Sequence, residues 1–146
     1  MPRNPHLLVG GWLSLAASAL HIACIVGGPD WYRFFGAGEE LATMAEQGSP
    51  LPAVITFAIS IVLAIWAAYA FAGAGLVRQL PLMRTALVAI TAIYMARGLM
   101  IVPLLFAPKA TAFDHWSSLI VLGFGLAYLL GTVRAWPGLA RKESIA

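Results

Sequence analysis

The run LPAVITFAISIVLAIWAAYAFAGAGL, Leu51 to Leu76, decides the fold, because it holds no acidic, basic or histidine side chain. A helix that crosses a bilayer needs about 20 mostly apolar residues, and this run exceeds that length. It is too rich in Ala and Leu for a strand and lacks the alternation of a membrane barrel. Working outward, comparable runs lie at about residues 7–28, 85–107 and 117–133. The expectation is an all-α fold, a four-helix transmembrane bundle forming a single integral membrane domain over residues 1–146. Composition agrees: 61% of the residues are hydrophobic and 10% charged, whereas soluble domains carry about 25% charged residues. Too few charges remain to cover a water-facing surface.

The first run has competitors. Arg3, the apolar stretch after it and Ala17-Ser18-Ala19 resemble a signal peptide with a small-residue cleavage site. Leu20 to Cys24 faintly resembles a lipoprotein box, which His21 spoils. With Met1 present, an uncleaved first helix is expected. Cys24 is the single cysteine, so an intrachain disulfide and a CxxC redox pair are both excluded.

Orientation follows from Lys and Arg in the loops. With the N-terminus inside, six basic residues (Arg3, Arg78, Arg84, Arg134, Arg141 and Lys142) face the cytoplasm, against two, Arg33 and Lys109, outside. The expected location is the inner (plasma) membrane, multi-pass, with both termini cytoplasmic. The net charge of +3 is scattered rather than gathered on one face, so no nucleic-acid partner is expected.

The link from Pro29 to Pro50 is expected to carry an interfacial amphipathic helix at about residues 30–47, outside the membrane. At helical spacing, Trp31, Phe34, Phe35, Gly38, Leu41, Ala42 and Ala45 share its apolar face. Asp30 is placed to cap its start, and Gly36 and Gly38 to break it in two. Small residues recur every fourth position: Gly10, Ser14 and Ser18; Ala64, Ala68 and Ala72; Gly123, Ala127 and Gly131. That spacing lets helices approach closely in lipid, within one bundle or between copies. The two hairpins share no pattern, so a duplicated transporter is not indicated.

Arg97 is the most informative residue. It falls near the middle of the third run, where an arginine costs at least about 2.5 kcal/mol and usually faces the bundle interior with a partner. No run contains Asp or Glu, so the counter-charge is expected from a loop carboxylate, a bound anion or helix carbonyls. Glu39 is the loop carboxylate best placed to turn toward it, beneath a lid carrying Trp31. His21 lies at a similar depth, on a face with Ser14, Ser18 and Cys24. Thr56 and Ser60, at i,i+4 spacing, and Tyr94, one turn from Arg97, reach the same level. The expected ligand-binding set is therefore Arg97, His21, Tyr94, Ser18, Thr56, Ser60, Glu39 and Trp31, around a polar pocket in the outer half.

Other chemistries are poorly served. His21, His115 and Asp114 are suitable metal ligands, but no HxxxH or ExxH spacing exists, and no metal is expected. His21 and His115 differ in depth by roughly 10 Å on helical rise, which disfavours a bis-histidine haem. No serine sits in a GxSxG elbow. Nothing names a cofactor or a reaction. The leading expectation is a pocket that binds or processes an anionic or lipid-like small molecule through Arg97 and His21, beside membrane lipid. The alternatives are a non-catalytic accessory or assembly subunit of a membrane complex, and an oligomeric small transporter or channel subunit. The layout resembles that of many small bacterial inner-membrane proteins, a likeness that lends no catalytic residue.

Overall fold

The computed structural model describes residues 3–143. Side chains of residues 140–143 fall outside the description, and with them the expected inner charges Arg141 and Lys142 and the acid Glu143. All elements among the described residues are helical: α1 (Pro5–Gly27), α2 (Pro29–Phe34), α3 (Glu39–Glu46), α4 (Leu51–Gly73), α5 (Met83–Leu99), α6 (Ile101–Leu104) and α7 (Ala112–Glu143). Four stretches are long and apolar enough to cross a membrane: Pro5–Gly27, Leu51–Gly73, Met83–Leu104 and Ala112–Leu139. The highest mean hydropathy, 2.3, falls on Leu51–Gly73, the stretch without an acidic, basic or histidine side chain.

Local chemistry places the ends. Helix α4 stops short of Leu76 because Gly75 adopts φ 77°, letting Leu76 N donate to Phe71 O at 2.9 Å and Gly75 N to Ala72 O at 3.1 Å. Those two bonds satisfy carbonyls that a helix end would otherwise orphan. Gly36, at φ 70°, ends α2 in the same manner through Ala37 N to Tyr32 O at 2.9 Å and Gly36 N to Arg33 O at 3.2 Å. The amphipathic segment expected over 30–47 is therefore two short helices, with the break at Gly36 and Gly38. Helix α7 starts earlier than residue 117 because Thr111 and Asp114 form a reciprocal cap. Asp114 Oδ2 accepts from Thr111 N at 2.8 Å, and Asp114 N donates to Thr111 Oγ1 at 3.2 Å.

The chain divides into two compact units, residues 1–14 with 66–146 and residues 15–65. In the first unit α5 packs on α7 at backbone distance. A Cβ on Gly98 would lie 2.5 Å from Leu122 Cα, and one on Gly125 would lie 3.0 Å from Met95 N. Gly131 packs against Leu7, whose N would be 2.9 Å from an added Cβ. Gly123, expected on the same packing stripe as Gly131, meets nothing within 4 Å, and Gly125 makes the close approach to α5 instead.

In the second unit, Cys24, Tyr32 and Ala42 form a buried cluster with Phe35 and Ala45 against it. Of the apolar face expected for the link, Phe35, Ala42 and Ala45 belong to this cluster. Phe34, on the same expected face, is 71% exposed, and Tyr32, which that face did not include, is 4% exposed. The break at Gly36–Gly38 re-aims α2 relative to α3, so one helical wheel cannot describe both.

Candidate functional site

Among the expected site residues, Arg97 and Tyr94 belong to the first unit; His21, Ser18, Thr56, Ser60, Glu39 and Trp31 belong to the second. In the first unit, Arg97 sits two residues before the end of α5 as its only basic last-turn residue. Its Nη1 donates to Ser118 Oγ at 2.8 Å, and Nη2 approaches Ser117 Oγ at 3.4 Å. The residue is exposed rather than enclosed. Among the described residues every ion pair belongs to Arg33, so no carboxylate touches Arg97. Asp114 lies within electrostatic range of it, but its Oδ2 is held by the α7 cap. A guanidinium carries five donors; two are directed at serines, and the other three meet no acceptor among the described residues.

Tyr94 does not accompany Arg97. It is 5% exposed, and its hydroxyl lies 2.8 Å from Ser14 Oγ, which lies 2.8 Å from the Tyr128 hydroxyl. Tyr128 donates to Trp66 O at 3.1 Å. The terminal carbonyl sets the direction of the chain. Tyr128 uses its only proton there, so Ser14 donates to Tyr128 and Tyr94 donates to Ser14. The rings pack edge-on, Tyr94 at 5.0 Å from Trp66 and 5.5 Å from Phe124. Every proton in this relay has an acceptor, so it braces the unit and offers no open donor.

The second unit uses its polar groups internally as well. Ser18 Oγ donates to Ser60 O at 2.8 Å, and Ser60 Oγ donates to Ser18 O at 3.0 Å, clasping α1 to α4. Thr56 Oγ1 donates to Pro52 O at 2.7 Å within its own helix. His21 Nδ1 lies 2.7 Å from Ala17 O, the carbonyl one turn back; a carbonyl only accepts, so Nδ1 donates that bond. Glu39 is engaged by Arg33, whose Nη2 lies 2.6 Å from Oε1, while Arg33 Nη1 lies 2.7 Å from Glu46. The guanidinium holds both carboxyls below the usual carboxylate range, and the two carboxylates raise the Arg33 pKa in return. Trp31 is 41% exposed, and its ring lies 5.7 Å from that of Phe35 at a tilt of 47°.

His115 Nδ1 contacts Thr111 O at 2.7 Å, and no group of three His, Cys, Asp or Glu able to hold a metal occurs among the described residues. The hydroxyls of Ser117 and Ser118 and the Tyr128 link escaped sequence reasoning as partners. Ser14 and Tyr128 stand 114 positions apart, and no local pattern joins them.

Fold and site together define a class: a small helical protein with four candidate membrane spans and an arginine on the third. Searches of protein-family models, curated proteins and solved structures find no match to the chain.

Proposed function

We propose that the protein is a four-span membrane protein that binds an anionic or lipid-like small molecule through Arg97. The observation that carries this reading is a guanidinium on a candidate span whose contacts are two serine hydroxyls and no carboxylate. Arg97 lies seven residues before the end of the span at Leu104, about 10 Å along the helix. Unsatisfied charged donors at that depth are costly. A phosphate or carboxylate accepts two parallel N–H bonds from a guanidinium and neutralises its charge. Because the arginine is exposed on the bundle, the anion reaches it from the lipid or the outer surface without threading the packed interior.

The rival reading makes Asp114, within electrostatic range, a structural counter-charge. Lipids and small anions retained after mild-detergent purification distinguish the two. Under the proposal, Arg97→Gln loses a retained anionic species that Asp114→Asn keeps. An unchanged retained set in a folded Arg97→Gln protein would overturn the proposal.

A further inference from the structure

The close approach of α5 and α7 at Gly98 and Gly125 has a counterpart toward Arg84. On that side of Met95 the two helices leave a groove of about 730 Å³, within the range of about 300–1,000 Å³ that small-molecule sites occupy. Its floor is formed by Thr91 and Thr132, both buried, with Thr91 Oγ1 satisfied by Leu87 O at 2.6 Å. Val88 and Ala92 on α5 and Leu129 and Val133 on α7 wall it. No residue of the Arg97 set lines it.

The groove leads to a cation. Val88 and Trp136 are shared with a smaller hollow of about 410 Å³ lined also by Arg84. The Arg84 guanidinium carbon stacks 4.6 Å over the Trp136 ring, and Nη2 donates to Trp136 O at 3.1 Å. Stacking fixes the plane of the guanidinium and leaves an edge for an acceptor. From Arg84 to Met95 the groove runs about 16 Å at helical rise, roughly half of a hydrocarbon core about 30 Å thick.

An apolar slot one leaflet deep, with an arginine and a tryptophan at its mouth, has the layout of a phospholipid. We propose that this groove seats one acyl chain of an anionic phospholipid, with its phosphate on Arg84 and Trp136 at headgroup level. A second copy related by a two-fold axis along the membrane normal would set Arg84 against its own counterpart at the same depth, which charge disfavours. The proposal does not rest on Arg97, which lies at the opposite end of α5.

Native mass spectrometry of the full chain, titrated with phosphatidylglycerol and phosphatidylcholine of matched acyl chains, tests it. Wild type is expected to prefer phosphatidylglycerol about fivefold, the ratio one basic residue supplies near a membrane surface. Arg84→Gln should bring that preference close to one. Ala92→Phe, at an exposed position inside the groove, should reduce retention of both lipids, and Val88→Phe on the exposed wall repeats the test. A preference undiminished in Arg84→Gln, or full retention in both groove-filling variants, would overturn the proposal. So would disulfide cross-linking between copies through Val88→Cys in a Cys24→Ser background, since a second chain would then occupy the groove.

Discussion

Substituting Gly98 by alanine tests the packing that holds Arg97 in place. The added Cβ would stand 2.5 Å from Leu122 Cα and 2.6 Å from Leu122 N, against an optimal carbon separation of about 3.5–4.0 Å. The helices must therefore part locally by about 1 Å, because the obstructing atoms are backbone and cannot rotate away. Overpacking of this kind costs about 1–3 kcal/mol, and the backbone origin of the clash puts it near the top of that range. Alanine recovers about 1 kcal/mol of helix propensity, for a net loss of about 2 kcal/mol, or roughly thirtyfold in the folding equilibrium. The same displacement lengthens the 2.8 Å bond from Arg97 to Ser118. Gly123→Ala is the matched control, since its Cβ meets nothing within 4 Å. Denaturant unfolding of both variants in mixed micelles gives the comparison. The reasoning fails if Gly98→Ala unfolds at the same midpoint as Gly123→Ala.

Tyr128→Phe removes the link between Ser14 and Trp66 O and strands the Ser14 proton; a loss of about 1–2 kcal/mol is expected in the same assay, and wild-type stability would contradict the relay. The Arg33 pairs make the α2–α3 segment sensitive to acid. Glu39 and Glu46 have lowered pKa values in the folded state, so their contribution is present above the ordinary carboxylate value of about 4.3 and is lost as pH falls through the depressed values. Hydrogen-exchange protection of α3, corrected for intrinsic rates, should drop from pH 7 to about pH 3 in wild type and not in Arg33→Gln; identical profiles would dismiss the pairing. For topology, in a Cys24→Ser background, Gln47→Cys should react with a membrane-impermeant thiol reagent in intact cells and Gln79→Cys should not. The reverse pattern would place the Pro29–Pro50 segment on the cytoplasmic side.

What the sequence by itself determined is the class of the molecule and the count and approximate place of its candidate spans. Those follow from runs of apolar residues, a property of consecutive side chains that needs no knowledge of their neighbours. Leu51 to Leu76 could be recognised without any other part of the chain. The break of the outer segment was legible at Gly36 and Gly38 for the same reason, because a left-handed backbone is a local demand. Arg97 was legible as an anomaly, since a charge in an apolar run stands out on its own. Its partners were decided only by the tertiary structure. Ser117 and Ser118 lie on another helix, and their facing Arg97 depends on the rotation of α7 that places Gly125, and not Gly123, against α5. That same rotation opened the groove between Val88 and Val133 and joined Tyr94 to Tyr128. Glu39 went to Arg33 because a cation six residues away needs only a short turn to reach it. Linear patterns report which residues prefer lipid or water. Which polar groups meet depends on the azimuth of each helix, and that is set by how small and large side chains interlock across the whole bundle.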